Sequence, residues 1–175
     1  MDIKKTRKFQ IFSVIFTLIL GTILHFTYKW SNQNPIVGLF SSINESVWEH
    51  LKLLFYPMVI ATFIGLIYFK NKIPNFLCSK AVGIFVALSF TIIFFYTYSG
   101  IIGTNIAFID IASFFIATIL GEFISYVLII NKFKCNKFLS VFFLILVFFG
   151  FIIFTFYPPK IGIFKDPLLK NSMQI

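Results

Sequence analysis

Charge is scarce in this chain: 175 residues carry fifteen Lys and Arg, six Asp and Glu, and two histidines. With 12% charged against 59% hydrophobic residues, there is too little polar surface to cover a soluble domain, and the length allows one domain, 1–175. Recognised catalytic motifs are missing as well. There is no His-Glu-x-x-His, and Ser46-Val47-Trp48-Glu49-His50 lacks the first histidine of the inverted form, so a known helical metallopeptidase is not supported. Neither a Gly-x-Ser-x-Gly turn nor a phosphate loop occurs. No internal repeat is convincing, which weighs against the inverted-repeat designs of secondary transporters.

What is present is long apolar runs. Five segments, approximately 9–28, 51–69, 81–102, 106–130 and 138–157, are long enough for the roughly 30 Å hydrocarbon layer, which takes about 20 helical residues. The fold class expected is therefore all-α, a polytopic transmembrane bundle lodged in the cell membrane. The basic start before the first run resembles a signal peptide, but the run is too long and lacks a small-residue cleavage pattern, so it reads as a retained span.

The net charge of +9 reports topology, not nucleic-acid binding, because the cations lie between spans. Lys4, Lys5, Arg7, Lys8, Lys70, Lys72, Lys80, Lys132, Lys134 and Lys137 fall on one side; Lys29, Lys52, Lys160, Lys165 and Lys170 fall on the other. The positive-inside rule then puts the N-terminus inside and the tail, 158–175, outside. That tail is expected to lie on the lipid headgroups, with a lid as the alternative. Cys78 and Cys135 fall in inner links, where thiols stay reduced, and read as ordinary thiols.

Two spans carry stripes of small residues: Ser13, Thr17, Gly21 and His25 in the first, and Ser113, Ala117, Gly121 and Ser125 in the fourth. Such stripes let helix backbones approach in lipid and mark inward faces. His25 lies on one stripe and Asp110 continues the other, each about 7 Å below the outer boundary at 1.5 Å per residue. Glu122, near the inner end of the fourth span, is given no role. The fifth span has no ionisable residue and reads as packing and anchor.

The densest polar stretch is Ser41-Ser42-Ile43-Asn44-Glu45-Ser46-Val47-Trp48-Glu49-His50-Leu51-Lys52. Ser42 with Glu45 has the form of a capping box, which predicts a helix start there and puts Glu45, Glu49 and Lys52 on one face. Pro57, further along the same span, predicts a kink. Together with Asp110, and with Tyr98, Ser99 and Asn105, these residues gather at one mouth. The candidate catalytic residues are His25, Glu45, Glu49, His50 and Asp110. His25, His50 and Glu49 are the candidate metal ligands, of types suited to zinc or manganese. Ionisable groups at membrane depth are expensive, which is why the cluster counts for more than any member.

The strings Gly21-Thr22-Ile23-Leu24-His25-Phe26-Thr27-Tyr28 and Asn44-Glu45-Ser46-Val47-Trp48-Glu49-His50-Leu51-Lys52, with Tyr98-Ser99-Gly100, Tyr157-Pro158-Pro159 and Phe164-Lys165-Asp166-Pro167, resemble an uncharacterised family of small bacterial integral membrane proteins, the domain-of-unknown-function family 6512. The resemblance covers nearly the whole chain and implies no established activity. From the residues, the expectation is an outer-leaflet hydrolase or acyl or group transferase acting on a lipid or lipid-linked substrate. The alternatives are a channel or carrier for ions, protons or a small solute, and a non-enzymatic accessory subunit anchored through Trp48.

Overall fold

The computed structural model describes residues 2–70 and 72–167. They form six α-helices, α1 (Ile3–Trp30), α2 (Pro35–Gly38), α3 (Val47–Tyr68), α4 (Phe76–Ile102), α5 (Ala107–Ile130) and α6 (Lys137–Phe156), followed by a 3-10 turn at Gly162–Phe164. Among the described residues there is no strand, and α1, α3, α4, α5 and α6 are long and apolar enough to cross a membrane. The five-span, all-helical expectation stands.

Local chemistry sets the helix ends. The carboxylate of Asp2 accepts the Lys5 N–H, so α1 begins six residues before its apolar run and the basic residues are helical. Asn34 accepts from Ile36 N–H, with Pro35 at the first helical position, to give the short α2. Gly103 closes α4 in the left-handed region at φ 84°, where a side chain would be strained. The predicted capping box moves by four residues. Ser46, not Ser42, is the N-cap of α3 and accepts the Glu49 N–H, so Glu45 lies in the preceding loop and does not share the helix face of Glu49 and Lys52. Pro57 sits buried inside α3.

Helix α3 is the most buried of the spans. Its Leu54, Phe55 and Met58 are buried against Ile84 and Ala87 of α4, Ala117 of α5 and Phe151 of α6. Small residues allow the closest approaches, as the stripes predict. A Cβ on Gly21 would stand 2.5 Å from the Leu53 carbonyl, and one on Gly121 would stand 2.6 Å from the Gly83 carbonyl. Ser13, Thr17 and Gly21 of α1 and Ser113, Ala117, Gly121 and Ser125 of α5 are all buried. Helix α6 is peripheral, burying Ser140, Phe151 and Thr155.

Two features at the end that holds the N-terminus differ from expectation. Cys78 and Cys135 are joined in a disulfide, their Cα atoms 6.4 Å apart, because the first turn of α4 and the link before α6 meet at this end. Lys80 is not a link cation. It lies one turn into α4, fully buried, and its ammonium meets the carboxylate of Glu122 at 2.6 and 2.5 Å. The reading of Glu122 as a residue without a role gives way to that ion pair.

Candidate functional site

The opposite end of the bundle, the motif end, is built by a loop pinned on both sides. Against α1, the buried hydroxyl of Ser41 donates to the Leu24 carbonyl and accepts from Tyr28 N–H at 3.0 Å and Thr27 Oγ1 at 3.1 Å. Against α3, Glu49 accepts the Ile43 N–H at 2.9 Å and pairs with Lys52 Nζ at 2.6 Å. Lys52, fully buried, also donates to the Gly38 carbonyl at 2.8 Å and to Thr155 of α6 at 3.0 Å. Every Lys52 proton is thus used, which is the condition under which a buried charge is tolerated. Glu49 is a strut of the loop.

The loop delivers Glu45 to the two histidines. Glu45 Oε2 is 3.3 Å from His50 Nε2 and Oε1 is 4.0 Å from His25 Nε2, while the imidazole rings lie 5.3 Å apart. His50 Nδ1 is 2.9 Å from the Ser46 carbonyl. A carbonyl can only accept, so Nδ1 carries the proton and Nε2 is the nitrogen turned on Glu45. A lone pair facing a carboxylate is repulsive, so the gap calls for a cation, a second proton or a metal ion. His25 Nδ1 is 3.3 Å from Ser42 Oγ, a hydroxyl that can donate or accept, so this contact orients the ring without setting its tautomer. With the second proton on His50, its hydrogen bond holds the Glu45 carboxyl below the usual carboxylate range, against the upward push of partial burial.

The residue types and their spacing make the triad a candidate site for a divalent ion. One atom from each of His25, Glu45 and His50 lies within 4.8 Å of the others. Ligands about 2.1 Å from a tetrahedral zinc stand about 3.4 Å apart, so the triangle would contract for all three side chains to hold one ion. The predicted ligand Glu49 is not in this group; the structure brings Glu45 there and turns Glu49 away toward Lys52.

The triad forms one wall of a cavity of about 520 Å³. Asp110 forms part of another, accepting from Tyr98 OH and from Asn105 Nδ2 at 3.2 Å. Ser99 is spent on its own helix, donating to the Phe95 carbonyl. Leu53, Leu54, Phe95 and Phe114 supply apolar lining. Phe26 of α1 and Ile111 and Phe115 of α5 line the cavity yet are 43, 59 and 43% exposed, so it opens sideways between these helices on the flank of the bundle.

The tail closes over the loop. Asp166 accepts the Glu45 N–H at 3.2 Å, and Phe164 packs on Trp48 and Phe154. This replaces the expectation of a tail resting on headgroups for residues 158–167; 168–175 lie outside the described residues. The indole of Trp48 is enclosed by Phe151, Phe154 and Phe164, all of its own chain. Sequence reasoning missed Ser41, Thr155 and the Gly38 carbonyl as supports, and the Ser46-x-x-Glu49 spacing was the one signal that pointed to the true helix start.

Residues 1–171 fit a family of unknown function, DUF6512. The chain belongs to that family. No curated protein and no solved structure matches it. The established description of this DUF6512 member is therefore a multi-span helical protein with membrane-like helices.

Proposed function

We propose that this chain is a membrane-embedded enzyme of the outer leaflet that hydrolyses, or transfers a group from, a lipid or lipid-linked substrate. The observation that supports it is a triad of metal-ligand side chains on the wall of an apolar cavity that opens on the helix flank, where bilayer would lie. Such an opening suits a substrate that arrives with its chain in the hydrocarbon and its headgroup at the mouth. His25, Glu45 and His50 would hold zinc or manganese, which supplies an activated water and polarises the bond to be cleaved. Asp110, fixed by Tyr98 and Asn105, faces the same space and takes the role of orienting carboxylate. Glu49 is assigned to positioning: with Lys52 it sets the loop that carries Glu45.

Elemental analysis of detergent-purified protein is expected to find close to one zinc or manganese per chain in the wild type and in Asp110→Asn, and none in His25→Ala or His50→Ala. A metal-free wild type would remove the metal from this reading. A photoactivatable phospholipid is expected to crosslink to Phe26, Ile111 or Phe115; labelling spread evenly over α6 instead would remove the lipid substrate. The accessory-subunit alternative loses its anchor, because Trp48 is covered by its own chain.

A further inference from the structure

Helices α1 and α5 share a register that stacks polar layers along their contact. Ser13 Oγ donates to Glu122 at 2.7 Å, and two turns on, Gly21 faces the ring of Phe114. Stepping four residues along each helix between these contacts sets Thr17 opposite Thr118, and a further step beyond Gly21 sets His25 opposite Asp110. Thr17 and Thr118 are both fully buried. Thr118 donates to its own helix at the Phe114 carbonyl, but the Thr17 hydroxyl has no partner among the described residues. One layer toward the N-terminus, Lys80 Nζ is bonded to Glu122, Ser13 and Gln10, and the Gln10 amide nitrogen is likewise without a partner there.

Orphaned polar atoms in the middle of an apolar bundle are costly and call for water. A water bridging two groups spans about 5.6 Å through two hydrogen bonds, close to the roughly 6 Å rise of four helical residues. A single water in each layer would connect Ser13 to Thr17, and Thr17 to the level of Gly21, where the cavity is lined by Gly21, Thr91 and Ser113. The ring of Phe114 stands over Gly21 at that floor.

We propose that the Lys80–Glu122 pair is a protonatable site at one end of a proton path that runs past Thr17 and Thr118 into the cavity, with Phe114 as its gate, so that the protein carries protons across the bilayer. The pair can hold its shared proton on nitrogen or on a carboxylate oxygen, and a further proton converts the charged pair into ammonium and carboxylic acid. Each relay step exchanges one O–H or N–H bond for another and leaves the donor to be refilled from the layer behind. Charge crossing the membrane is balanced by an equal flow of another ion. This activity does not depend on a metal at the triad.

The test is the wild-type protein in liposomes holding a pH-sensitive dye, with valinomycin and potassium to balance charge. Acidifying the outside is expected to acidify the lumen faster than in protein-free vesicles. Thr17→Val loses no hydrogen bond to another described residue, so it should fold as the wild type does and bring the rate down to the protein-free level; Glu122→Gln should do the same. Phe114→Ala should raise the rate, and adding Thr17→Val should abolish the gain. Wild-type flux equal to that of empty vesicles, or Thr17→Val flux equal to wild type, overturns the path.

Discussion

The two ends of the bundle use the same few residue types in opposite ways. At the N-terminal end, Lys80 and Glu122 are wrapped by Ser13 and Gln10 and wholly removed from solvent. At the motif end, Glu45, His25 and His50 keep roughly a third of their side-chain surface exposed and line a cavity. The motif end also contains its own sealed pair, Lys52–Glu49, directly behind the open one. The difference teaches that a charge in this fold is either enclosed by hydrogen bonds, in which case it ties helices together and can exchange protons only along that network, or left with an unfilled side, in which case it can meet a ligand from the cavity. Glu45 and Glu49, four residues apart in sequence, fall on either side of that line.

The comparison can be broken most forcefully at the sealed pairs. Lys80→Met leaves a lone buried carboxylate and should cost about 3–5 kcal/mol, read as thermal unfolding in detergent, whereas Lys80→Met with Glu122→Leu should recover much of the loss. Equal instability of single and double variants would mean that the pair is not a unit. Ser41→Ala comes next: it strips the loop of its bonds to α1 at a buried site, for about 1–3 kcal/mol, and should weaken metal binding although Ser41 is no ligand. His25→Ala, at the open cluster, should move stability by no more than about 1 kcal/mol while abolishing metal binding, the reverse of Lys80→Met.

The smallest effect is in the acid limb. Glu45 titrates below its unfolded value, so its contribution is present above the usual carboxylate range and is lost as pH falls through the lower, folded value. Stability of the wild type should therefore decline across that acid interval more steeply than that of Glu45→Gln, and superimposable profiles would mean the His50 contact is not made.

The five spans were legible because twenty apolar residues in a row match the thickness of a hydrocarbon layer and leave a soluble helix no polar face to turn toward water. The inward stripes were legible because lipid-facing positions need no small residues. The matched depth of His25 and Asp110 followed from helical rise alone. Other features were not legible. Ser42-x-x-Glu45 and Ser46-x-x-Glu49 overlap in the same string, and only the Ile43 N–H and Lys52, which capture Glu49, favour the second. Lys80 looked like a link cation because its partner lies 42 residues away, at a height that depends on how α4 meets α5 across Gly83 and Gly121. The role of Thr155 is invisible for the same reason: it is an ordinary hydroxyl in an apolar span until α6 docks beside Lys52. The Cys78–Cys135 pairing likewise needs the first turn of α4 to meet the link before α6.

The contact between Asp166 and the Glu45 amide also fixes an order of events during synthesis. The motif loop leaves the ribosome early, after α1 and α2, yet the residues that cover it emerge only once α6 has followed. Through most of translation the loop is therefore an unfinished site, with the Trp48 ring bare and the Glu45 backbone unclaimed. Completion falls to Phe164 and Asp166, so the segment after the last helix acts as a late-arriving clasp on the loop.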